Sequence, residues 1–426
     1  VSSNAARRLL ALLTVFAGAF VAAVTLTTSV PRNFAFVAGG DRLDVFLGSA
    51  ASAAALGSVV AVVTTLAVRR ARWALASIAL GVALVVASSA GGDLWALHPR
   101  AAAAGLILGG AAALSGAGDR RTARCSLVLG LLVGVTLAAP IVDVPLRYAE
   151  YEYVAEPAPQ TYYWIIVGVL ALLVAAAAWV SPFGAIETAQ ARMRILLVGI
   201  IVPLVGLVLY WLFVRAVDSL GADGTMQNRW LLGLLVVPLL VGAAFTLPRR
   251  TGSIVLVALA FIAASSTSSL EASATGVFVV CLLVGFVIGM KWRLPLAALG
   301  VLAVVAATGV FAGSQLDAIT TVAVSAVLPL AAGVAFASLL PTESSVAVIA
   351  ATTPVVVTVP IIVEFGWTAY TPLTRIQPSY SPSIWEWAST AVSVMSIVVA
   401  GAGLVLLRRR ETEKPTQPPS GSVAGD

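Results

Sequence analysis

Charge is the scarcest property of this chain. Only 10% of its 426 residues are Asp, Glu, Lys or Arg, whereas a soluble domain carries roughly 25%. A chain that is 60% hydrophobic cannot cover a surface facing water, so the bilayer must be part of its solvent. Lysine is confined to Lys291 and Lys414, and the one histidine is His98. A histidine-based metal site is therefore excluded. Two cysteines, Cys125 and Cys281, lie far apart beside or inside apolar segments and read as small hydrophobes. No disulfide or metal framework is visible, and nothing calls for a cofactor. The net charge of +6 does not point to nucleic acid, because its arginines sit in short loops and not on a soluble domain.

What the chain has is apolar length. A span needs about 20 apolar residues at about 1.5 Å rise each. Fourteen runs qualify: 9–28, 45–68, 74–90, 101–117, 125–142, 161–180, 195–214, 230–247, 251–268, 272–290, 294–316, 318–340, 344–363 and 387–407. The first follows Arg7 and Arg8 as a signal peptide would, but it is long enough to span and thirteen more follow. It is expected to stay as the first helix. The expected fold is an all-α polytopic membrane protein.

Charge placement sets the orientation. With the N-terminus inside, 18 of the 25 basic residues fall in inner segments, among them Arg69, Arg70, Arg72, Arg120, Arg121, Arg124 and Arg408 to Arg410. Thirteen of the 19 acids fall outside. The positive-inside rule thus places both termini in the cytoplasm. Arginine over lysine, with the Ala/Val/Gly/Leu bias, suggests a GC-rich bacterial genome and hence a bacterial cytoplasmic membrane. Two outer loops, 143–161 and 364–386, are acidic and aromatic, and read either as solvated loops or as a lid over an outward opening. The Pro/Ser/Gly-rich tail 411–426 is expected to be disordered.

The spans hold Ser, Thr, Gly and Pro, with acids only near their ends: Asp44, Asp143, Asp317, Glu364, Glu187 and Glu343. A mid-membrane carboxylate usually marks an ion or proton path. Its lack favours a hydrophobic or amphipathic cargo over a charged one, or simply close helix packing. Pro203, Pro238, Pro329 and Pro354 are candidate kinks.

The loop after the second run reads Leu66-Ala67-Val68-Arg69-Arg70-Ala71-Arg72-Trp73. The fourth run opens on Arg100 and continues AAAAGLILGGAAALSG. The fifth has Gly130, Gly134 and Ala139-Pro140, and a second basic loop, Lys291-Trp292-Arg293, precedes the eleventh. In this order the features resemble the major facilitator superfamily, in its fourteen-helix drug-exporter branch. Val68 and Ala71 stand where that family has an aspartate and a glycine, and the first helix lacks the acid of proton-coupled members. The resemblance implies two six-helix bundles, 1–180 and 251–410, an inserted helix pair at 181–250, and cargo carried between the bundles by alternating access. It implies that Arg69 and Arg72 form an inner gate. Arg100 and Asp143, at outer helix ends, are expected to pair near the cavity mouth. Gly130, Gly134 and Pro140 are expected to let the fifth helix pack closely and bend.

The expected function is a transporter, not an enzyme, exporting a hydrophobic or amphipathic small molecule or lipid. Two others stay open. Asp41 and Asp44 lie in the first outer loop, where membrane glycosyltransferases using lipid-linked sugars place their acids. A non-transporting partner in envelope assembly would also tolerate lost gate residues. The partners implied are the lipid bilayer and a cargo, with no nucleic acid.

Overall fold

The computed structural model describes residues 2–27, 50–89, 93–117, 120–141, 161–180, 183, 186, 192–218, 234–247, 251–265, 274–311, 316–340 and 384–412, some helix ends by backbone alone. The thirteenth run, nearly all of both long outer loops (143–160 and 364–383), Asp41, Asp44, Asp143 and residues 413–426 lie outside them.

Among the described residues every regular element is helical: α1 (Ser2–Thr27), α2 (Ala50–Ala67), α3 (Ala71–Ser89), α4 (Asp93–Leu114), α5 (Arg120–Ile141), α6 (Thr161–Val180), α7 (Arg192–Asp218), α8 (Val236–Thr246), α9 (Gly252–Ser265), α10 (Thr275–Lys291) and α11 (Pro295–Ala307, extended by a 3₁₀ turn). The chain then forms α12, which runs from Asp317 to Leu339 through a π turn at Ala323–Val327, and α13 (Ile384–Thr412). Among the described residues eight helices are long and apolar enough to cross a membrane. The fold is an all-α polytopic membrane fold. The π turn has a local cause. Pro329 has no N–H to return to the carbonyl four residues back, so the backbone widens by one residue just before it.

Burial separates inner from outer helices. In α9 every residue from Gly252 to Ala264 is buried, and α1 is almost wholly buried beyond Thr14. A helix apolar and buried all round is a core helix. By contrast α6 buries one stripe, Tyr163, Val167, Leu170, Val174 and Ala177, and exposes Leu172 and Trp179. In a bilayer that exposed face meets lipid.

The packing repeats along the chain. In the first half, α4 packs on α1, α2 and α3, and α6 packs on α1 and α3. In the second half, α12 packs on α9, α10 and α11, and α13 packs on α9 and α11. These pairings correspond helix for helix; that of α9 with α11 has no comparable counterpart in the first half, and that of α1 with α5 has none among the described residues of the second. α7 rests on α2, α8 rests on α9 and α13, and the two touch each other.

Glycine makes the tightest crossings. Gly105 and Gly109 of α4 face the carbonyls of Gly57 and Ala61 in α2, and Thr65 of α2 donates to the Gly109 carbonyl at 3.0 Å. Gly285 and Gly289 of α10 face the carbonyls of Leu330 and Val334 in α12. Both halves therefore use a Gly-x-x-x-Gly pair at the corresponding crossing, where small residues let backbones touch. Polar side chains inside the bundle mostly return to their own helix, as when Thr25 donates to the Val21 carbonyl at 2.7 Å.

Several helices extend beyond their apolar runs, and two of these extensions bear on the site. α4 starts at Asp93, not near residue 101, and α5 starts at Arg120, not near 125. Arg100 and Arg124 are thereby inside helices, and Arg124 is fully buried. Two arginines that the apolar runs left outside the spans are therefore helical, near the starts of α4 and α5. Hydropathy ends a run at the first polar residues, but a helix continues wherever neighbouring helices cover those residues.

Candidate functional site

Two polar regions stand out at opposite ends of the first half. At one end, α1, α2, α4 and α6 bring together Thr25, Ser52, His98, Arg100 and Tyr163. The Tyr163 and Thr25 hydroxyls share a hydrogen bond of 2.9 Å. Ser52 Oγ and His98 Nε2 lie 3.1 Å apart. The Arg100 guanidinium sits 5.9 Å from the Tyr163 ring centroid, within cation–π reach. Its Nε is buried and has no hydrogen-bond partner among the described residues. Charge counting assigns this end to the outer face.

At the other end, α5 meets α10, the direct contact between the two repeated halves. Arg121 Nη2 donates to the Met290 carbonyl at 3.2 Å. Residue 121 begins its helix and residue 290 ends its own, so the two helices run in opposite directions and meet at one face. The same face holds Ser338, which donates to the Trp292 carbonyl at 3.3 Å, and Arg410, whose guanidinium lies 4.8 Å over the Phe245 ring. Every one of these pairings joins helix ends that strict alternation puts on one side. Charge counting assigns it to the cytoplasm.

Arg69 and Arg72 are exposed in and after the turn joining α2 to α3, and Arg72 lies 5.8 Å from the Trp73 ring. Among the described residues the contact between halves is made by Arg121 and not by these two. Gly130 and Gly134 abut the backbone of α1 at Phe16 and Phe20. Pro140 lies within the last turn of α5. Asp143 is outside the described residues, and with it the expected pairing with Arg100, whose described neighbour is the Tyr163 ring. The importance of Arg121 and Tyr163 escaped the sequence, which shows Arg121 only as one more loop charge. Among the described residues no group of His, Cys, Asp or Glu is placed to hold a metal ion.

Arg100→Ala is expected to lower the protein's activity at least ten-fold while membrane insertion stays normal, because it removes a charge that α4 carries into the bundle. Tyr163→Phe, which loses one interhelical hydrogen bond of about 0.6 kcal/mol, is expected to change stability little. Flux beside a membrane-fraction blot reads both. A fully active Arg100→Ala protein removes this residue from the site.

No family model matches the chain, and no curated protein matches it. Among solved structures, an auto-inhibited peptide transporter of the POT family is similar over 97% of this chain and 98% of its own, at 12% identity and a TM-score of 0.46. The human organic anion transporter MFSD10 is similar over 94% of this chain and 99% of its own, at 12% identity and a TM-score of 0.39. Likenesses this distant leave function to be argued from the chain's own packing.

Proposed function

We propose that the chain is a membrane transporter that exports a hydrophobic or amphipathic small molecule or lipid by alternating access. Residues 1–180 and 251–410 act as two six-helix bundles, and residues 181–250 supply an inserted pair. The protein is multi-pass in a bacterial cytoplasmic membrane, with both termini in the cytoplasm. One observation carries the reading: the packing of α4 and α6 in the first half recurs at α12 and α13 in the second, while among the described residues the halves meet most extensively at the α5–α10 end. Two similar rigid bodies touching at one end can rock about a site between them. The few charges inside the bundle favour a largely apolar passage, and Arg100 gives a polar head somewhere to rest.

Purified protein in liposomes, tested for flux of lipid, drug and sugar panels, decides the matter. Saturable flux of an apolar or amphipathic compound is expected. No flux in any panel, together with co-purification of a stable partner, would replace this reading with that of an assembly partner.

A further inference from the structure

Where α8 and α13 end on the same face, a pocket of about 540 Å³ is lined by Phe245, Leu406, Arg409 and Arg410. The guanidinium of Arg410 is held 4.8 Å above the Phe245 ring. A stripe leads into the pocket along α13. Met395, Val398 and Leu406 are 58%, 52% and 51% exposed, and Val399 and Ala402 are exposed with them. Their helical spacing puts them on one face, which continues into Arg409 and Arg410. From Met395 to Leu406 the helix rises roughly 16 Å, about half of a hydrocarbon core some 30 Å thick. The stripe is thus one leaflet deep and ends in two cations at headgroup level.

We propose that this pocket and stripe bind an anionic phospholipid, with its phosphate on Arg409 and Arg410 and an acyl chain along α13. Guanidinium matches phosphate in charge and in planar, forked geometry. A soluble anion would use the arginines but not the apolar stripe. The site lies away from the α5–α10 contact and does not depend on the transport reading. Glu411 and Glu413 follow in the sequence, so a zwitterionic lipid is the relevant competitor.

The test is native mass spectrometry of the full chain in detergent with phosphatidylglycerol or phosphatidylcholine. The wild type is expected to retain phosphatidylglycerol preferentially. Arg409→Gln/Arg410→Gln is expected to cut that preference on the order of ten-fold. Arg7→Gln/Arg8→Gln, exposed on the same face, should leave it unchanged. If the first pair fails to fold, Leu406→Asn leaves both cations in place and should still weaken binding. No preference in the wild type, equal loss in the Arg7/Arg8 control, or displacement of the lipid by millimolar inorganic phosphate each overturns the proposal.

Discussion

Gly105→Leu or Gly285→Leu is expected to abolish the folded, monodisperse protein in detergent, whereas Gly300→Ala will leave it intact or slightly more stable. A Cβ on Gly105 would strike the Gly57 carbonyl, and one on Gly285 the Leu330 carbonyl. At the neighbouring positions a Cβ would lie 2.6 Å from the Ala61 carbonyl oxygen for Gly109, and 2.6 Å from that of Val334 for Gly289. Carbon and carbonyl oxygen in contact prefer roughly 3.3–3.6 Å. The clash is with backbone, which cannot rotate away, so the helices must separate along their whole crossing. Overpacking typically costs about 1–3 kcal/mol for small insertions, and leucine at a backbone contact belongs at or above the upper end. Alanine at these positions is expected to be milder but still destabilising. At Gly168 and Gly300 nothing lies within 4 Å of the added atom. There, alanine's helix propensity, better by about 1 kcal/mol, is free to act. Melting curves of the two groups in one detergent check this. Equal tolerance in both would mean that the α2–α4 and α10–α12 crossings are not as close as described.

The largest effect on function is expected at the α5–α10 contact. With Cys125 and Cys281 changed to alanine, Arg121→Cys and Met290→Cys joined by a short bis-methanethiosulfonate, which links them through two disulfides, should lower flux at least ten-fold, and cleavage of those disulfides by a thiol reductant should restore it. A charge-assisted hydrogen bond of 3.2 Å joins the halves here, a bond of a kind worth about 1.5–3 kcal/mol. A carrier can break such a contact in each cycle; a covalent link it cannot. Full flux in the cross-linked protein would show that these ends do not part during transport. That result would sink alternating access at this contact while leaving the fold untouched.

Much of the architecture was legible because a bilayer enforces simple rules. The apolar runs match α3, α6 and α10 closely, since each of these helices shows lipid one face and must be apolar there. The runs failed at α4 and α5. Arg100 and Arg124 are polar enough to end a hydropathy run, yet α4 continues because α6 covers Arg100 with Tyr163, and α5 because Arg124 is buried. Gly130 and Gly134 were legible as small residues, but only the coordinates show that they meet α1 at Phe16 and Phe20. Nothing in the basic loop around Arg69 and Arg72 told it apart from the one around Arg121, yet Arg121 reaches across to the Met290 carbonyl while Arg69 and Arg72 are exposed.

The sequence by itself therefore determined a helical protein spanning the membrane, and the alternation that puts particular helix ends on one face. Length, hydropathy and charge are properties of single segments, and the bilayer acts on each segment separately. Only the tertiary structure decided which helices touch: α4 with α2, α12 with α10, Arg100 with Tyr163, Arg121 with Met290. Inside a membrane every helix is apolar, so hydropathy cannot choose between neighbours. The choice rests on where a glycine faces a carbonyl and where a long cation finds an oxygen or a ring, and those are pairwise facts that exist only once the helices are packed.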